Sequence, residues 1–245
     1  MISLISCVLV LIRGFIFSFR VFKISCLPQF RAFVVFFVIS VWSFSWAQET
    51  GLVTLARLKY QGGGDWYNDP DILPNLGKEL NRRTNIATYE NEMVTTLLDD
   101  KLYNYPFLLM TGHGNISFND QEVAHLRSYL SNGGFLYADD DYGMDESFRR
   151  EIAKVFPNQQ LVELPFSHPI YHMIYSFPNG LPKIHEHSEG PPKGFGVFYQ
   201  NRLVVFYTFN TNISDGWTAA HNDPPEKRGS AFQMGINIIA YVLTH

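Results

Sequence analysis

Three short stretches of this chain concentrate side chains able to bind polar ligands or move protons: Asp65-Trp66-Tyr67 behind Gly62-Gly63-Gly64, His113 between Gly112 and Gly114, and Asp139-Asp140-Asp141 ahead of Tyr142. Three adjacent carboxylates repel one another. A metal, a cationic ligand, or a raised pKa that leaves one carboxyl protonated relieves the repulsion; solvated aspartates capping nearby amides are the plainer alternative. His113, flanked by glycines, is a candidate general base. In His185-Glu186-His187 an extended backbone turns both imidazoles to one side, so the pair can hold a divalent metal with Asp140 as third ligand. Ordinary hydrogen-bonded histidines fit the same spacing.

The glycine run matches neither dinucleotide nor phosphate-loop patterns. It suits either close approach of backbone amides to an anion or a tight turn with positive φ, and Asp65 and Asp69 beside it disfavour the anion. Trp66, Tyr67, Tyr142 and Trp217 offer stacking faces for a sugar ring, although at 16% aromatic content many such rings must serve the core. His125 falls on an amphipathic helix and reads as solvated, while His168 and His221 read as loop-ordering.

These residues need elements to hold them. From Leu52 onward, short apolar runs alternate with helical patterns, the signature of stacked βαβ units and a mostly parallel sheet. Strands are expected over 52–58, 86–89, 106–110 and 135–138, with a hairpin of 197–199 and 203–209 near the sheet edge. Asp69-Pro70 reads as the cap and first residue of a helix reaching about Asn81. Asn119 with Glu122 forms a capping box for the next helix, Asn132-Gly133-Gly134 ends it, and a further helix runs from Asp145 to Phe156. Asp223-Pro224 opens an apolar final helix. Seven prolines from Pro157 to Pro192 mark a loop-rich stretch. In such a sheet, ligands bind beyond the carboxyl ends of the strands. The loops at 62–69, 111–114 and 139–143 each follow a strand and are therefore expected to meet.

Composition narrows the classes. The first 47 residues hold four of the 19 basic and none of the 23 acidic side chains, leaving a net charge of −8 from residue 48 onward. That balance argues against nucleic acid as a partner. Both cysteines, Cys7 and Cys26, lie in the same leader, so the rest of the chain has no disulfide, thiolate-metal or thiol-nucleophile chemistry. Arg31, the apolar run 32–42, and Ser45 and Ala47 at −3 and −1 of a cut before Gln48 form a secretory-signal pattern. At 16 residues, 32–47 falls short of the roughly 20 of a membrane span, the competing reading. Residues 1–47 are thus expected to be a signal peptide or membrane leader and 48–245 a single domain, exported to the periplasm or cell envelope, with membrane contact through the leader alone.

The segments GGGDWYNDP, MTGHG, GGFLYADDDYGMD, FPNGLPKIHEH and HNDPPEKR, in this order between Leu52 and Thr244, resemble an uncharacterised bacterial domain-of-unknown-function family. That family is grouped with class I glutamine amidotransferase-like folds, near trehalose-utilisation type proteins. The resemblance implies a three-layer flavodoxin-like α/β sandwich and brings no established activity. True amidotransferases carry a catalytic cysteine on the turn after a strand; the equivalent turn here is Asp139–Asp141, so a thiol glutaminase is not expected. The expected function is binding of a small polar ligand, a carbohydrate or cell-envelope component, by Asp65, Trp66, Tyr67, His113, Asp139, Asp140, Tyr142, His185 and His187. The alternatives are a metal-dependent hydrolase using His185, His187 and Asp140, and an accessory subunit with a protein partner in the envelope.

Overall fold

A computed structural model describes residues 7–12, 15–20 and 51–245 apart from 186 and 188. Two compact units divide the chain at residues 49 and 50. In the first, β1 (Cys7–Ile12) and β2 (Phe15–Arg20) pair as an antiparallel hairpin. The signal-like segment 32–47 lies outside the described residues.

The second unit is an α/β domain whose seven strands lie in the order β4-β3-β5-β6-β9-β8-β7. The strands are β3 (Leu55–Leu58), β4 (Met93–Thr95), β5 (Phe107–Met110), β6 (Phe135–Asp139), β7 (Val162–Glu163), β8 (Lys193–Tyr199) and β9 (Arg202–Phe209). β4, β3, β5, β6 and β9 are mutually parallel, and β8 runs antiparallel between β9 and β7. Four α-helices accompany them among the described residues: α1 (Ile72–Arg83), α2 (Asp120–Ser131), α3 (Asp145–Val155) and α4 (Pro225–Thr244).

The pleat of the central strands builds the layers. Phe107 and Leu109 of β5, Phe135 and Tyr137 of β6, and Phe206 of β9 pack with α1 and α4. The alternate residues Leu108, Met110, Leu136, Ala138, Val205 and Tyr207 pack with α2 and α3. Strands buried on both faces read as continuous apolar runs, which is why β5 and β6 are legible in the sequence. No helix among the described residues is long and apolar enough to cross a membrane.

The Asn119–Glu122 capping box forms as expected, with each side chain on the other's backbone amide. Three other expectations are corrected: Asp223 does not cap α4, which starts at Pro225 after Pro224, and two more concern the first half of the domain. Asp69 does not cap α1: its φ of 48° takes it out of the extended conformation a cap requires, and the helix starts at Ile72. Residues 86–89 do not form the second strand; Thr88 makes a single bridge to Val53, and the edge strand is β4. The hairpin joins through Gln200 and Asn201, both with positive φ, and places β9 next to β6 inside the sheet.

Candidate functional site

The carboxyl ends of β3, β5, β6 and β9 point the same way, and the loops that leave them bond to one another. Gly64 and Asp65 donate their amides to the carbonyls of Asn115 and His113, and Gly114 donates to Tyr142. The amides of Gly64 and Asp65 are thus spent on the neighbouring loop. Gly62, at φ 116°, has Ile116 and Ser117 backbone atoms only 2.7 Å from where a β-carbon would sit, so the glycine run is a conformational requirement. Arg57 fixes this loop from below. Buried in the middle of β3, its guanidinium pairs with Glu92 and donates to the carbonyls of Trp66, Asn68 and Asp69.

The triple aspartate resolves into three environments. Asp139 turns inward, where its oxygens accept from Thr208 Oγ1 at 2.5 Å and the Ser214 amide at 2.6 Å. Burial pushes its carboxyl up to about 6 against the pull of those bonds. Asp140 turns to the start of α3 and accepts from the Met144 amide and the Tyr207 hydroxyl. Asp141 faces the rim, 3% exposed, with Oδ2 at 3.2 Å from His113 Nε2 and 2.8 Å from Asn68 Nδ2.

His113 Nδ1 lies 3.0 Å from Asp65 Oδ2, so its imidazole, 46% exposed, stands between two carboxylates. Asn212 Nδ2 reaches Asp141 Oδ1 at 2.7 Å, His187 Nε2 at 2.9 Å and Asp215 Oδ2 at 3.2 Å. His185 bridges Asp215 and Asp223, with both contacts at 3.0 Å, and His221 Nε2 meets Asp69 at 2.9 Å. Burial and the charge of Asp215 raise the Asp141 pKa despite His113. Burial acts against ionisation of Asp215 too, but the bonds from His185 and Asn212 win and lower its pKa. The bond to Asp215 raises His185; His221 is raised by Asp69 and Asp215 although burial opposes it.

Of the residues singled out from sequence, Asp65, His113, His185 and His187 enter this network, whereas Asp139 is fully buried on Thr208 and the Ser214 amide and does not face the rim. Tyr142 lines the rim with its ring 5.1 Å from that of His187. Tyr67 is 65% exposed, and Trp66 stacks edge-on against it beneath Lys59. Two further readings change. The trio His185, His187 and Asp140 is not drawn together, because Asp140 is committed to α3 and Tyr207 while His185 and His187 turn to different partners. Trp217 offers no stacking face: it is buried between α1 and α4, its indole donating to the Ala231 carbonyl.

Sequence reasoning left out Asp69, Asn212, Asp215, His221 and Asp223 as site members and, within the aspartate run, singled out Asp139 and Asp140 rather than Asp141. The signal for Asn212 and Asp215 was the polar turn 210–216 after an apolar strand; both Asn210 and Asn212 adopt positive φ there. A separate cavity of about 500 Å³ opens between α1 and α4, lined by Asn75, Lys78, Arg228 and Phe232 among others, and shares only Asp223 with the network.

A doubly wound α/β domain with a histidine–aspartate cluster at the carboxyl ends of its parallel strands is the class that fold and site define. The chain belongs to the family described as "Domain of unknown function (DUF4159)", whose model matches residues 54–243. No curated protein matches the chain.

Proposed function

We propose that the chain is exported and that its domain binds a small polar ligand, a carbohydrate or cell-envelope component, at the rim formed by β3, β5, β6 and β9. The observation that carries this reading is the convergence of Asp65, His113 and Asp141, from three separate loops, into one hydrogen-bonded chain. Carboxylates and imidazoles accept and donate to hydroxyl and amino groups, and Tyr67 and Tyr142 add exposed ring faces. The strand order, in which the first two parallel strands are exchanged and the others follow in sequence, supports the finer flavodoxin-like, class I glutamine amidotransferase-like assignment. With no cysteine after residue 47, the reading excludes a thiol glutaminase.

The test is a thermal-shift screen of sugars, amino sugars and envelope fragments in the presence of EDTA. A ligand at 100 times its Kd should stabilise by about 2.7 kcal/mol, which is about 5–10 °C for a domain of this size. His113→Ala and Asp141→Asn should lose the shift. Equal shifts in wild type and both variants would reject this rim as the site.

A hydrolase is the second reading, favoured by one feature: Asp65 orients His113 so that its second nitrogen faces Asp141, an arrangement suited to passing a proton. Turnover of chromogenic esters or glycosides that vanishes in His113→Ala would favour it over simple binding.

A further inference from the structure

We infer that Asp69, Asp215 and His221 form a site for a divalent transition-metal ion. Each offers one ligand atom, and the three atoms lie within 4.8 Å of one another. They come from three different segments, and His221 Nε2 already meets Asp69 Oδ2 at 2.9 Å. Asp69 is held by the bond from Arg57 to its carbonyl and by its left-handed backbone. Asp215 follows β9 on a short 3-10 turn. His221 precedes α4.

The surroundings of Asp215 match those of a metal-bound carboxylate. His185 and Asn212 both bond its Oδ2, at 3.0 and 3.2 Å, which orients the group. His185 is itself anchored by Asp223, extending the support outward. Two further observations favour a cation here. Asn212, 1% exposed and bonded through Nδ2 to Asp215, has its Oδ1 buried with no partner. Among the described residues, Asp65, Asp69, Asp141, Asp215 and Asp223 form ion pairs with histidines alone and none with lysine or arginine. Among the described residues, the five carboxylates of this cluster thus have titratable imidazoles as their only ion-pair partners, and the fixed charge of Arg57 is bonded to the Asp69 carbonyl.

Two carboxylates and one imidazole suit Mn²⁺ or Zn²⁺, with water completing the shell. This inference does not depend on the polar-ligand reading, since the ion is tested without any organic ligand and the ligand screen is run in EDTA. The full chain, stripped with chelator and dialysed, is titrated with Mn²⁺ followed by electron paramagnetic resonance and with Zn²⁺ by calorimetry. The expected result is one ion per chain, bound about tenfold or more weakly in Asp215→Asn and in His221→Gln, and unchanged in His125→Ala on the exposed face of α2. His221 is about one-third exposed, so its glutamine variant tests the site without disturbing the core; circular dichroism checks that both variants are folded. Absence of saturable binding, or equal affinity in wild type and the two site variants, would overturn the assignment.

Discussion

At the scale of single residues, burial and bonding assign different tasks to side chains of one type. Asp139 is a structural carboxyl: it ties the end of β6 to the loop after β9, and desolvation holds its pKa near 6. Its ordinary value in an unfolded chain is 3.8. Between the two values the folded state binds more protons than the unfolded state, so this group makes stability fall as pH rises from about 4 to 6, by about 3 kcal/mol in all. Urea unfolding of wild type and Asp139→Asn over that range checks the sign: the asparagine variant should lack this component of the slope, and identical slopes would contradict it. Arg57 carries a different load. Replacing it with methionine strips the partner from half-buried Glu92 and from three carbonyls of the glycine loop, and should destabilise by about 3–5 kcal/mol in chemical denaturation. Which aspartate of the run would face the rim was not legible in the sequence. Composition marks three adjacent acids; only the pleat of β6 and the start of α3 decide that Asp141 faces the site while Asp139 and Asp140 turn away.

At the scale of elements, the sequence was most readable where one local force dominates. The capping box of α2 and the apolar runs of β5 and β6 follow from local chemistry alone. Asp69 and Asp223 have the residue type of helix caps and sit before prolines, yet their carboxylates go to His221 and His185, because tertiary partners outcompete the local amides. The end of β9 was overlooked for a related reason. A hairpin signal fixes that two strands are antiparallel but not which one joins the parallel set, so Asn212 and Asp215 could not be assigned to the rim in advance. The glycine loop gives a paired prediction. Gly62→Ala meets backbone at 2.7 Å in addition to its positive φ, and should cost about 3 kcal/mol. Gly63→Ala has a similar φ but open space around it, and should cost about 1 kcal/mol. Equal losses in thermal denaturation would contradict the steric account.

At the scale of the whole molecule, the parallel sheet converts distance along the chain into proximity at one edge. Residues 65, 113, 141, 212 and 215 become neighbours because β3, β5, β6 and β9 run the same way, and His187 joins them from the loop ahead of the antiparallel β8. The export proposal belongs to this scale as well: N-terminal sequencing of the protein recovered from its native cell should begin at Gln48, and a chain retaining residues 32–47 would count against cleavage. The central claim, that this rim is the binding surface, is tested most directly by recording amide chemical shifts of the isotopically labelled protein while titrating the sugar and amino-sugar panel. The account predicts perturbations clustered at residues 62–69, 111–114, 139–143 and 210–223. Changes centred instead on the groove between α1 and α4, or none across the panel, would contradict it.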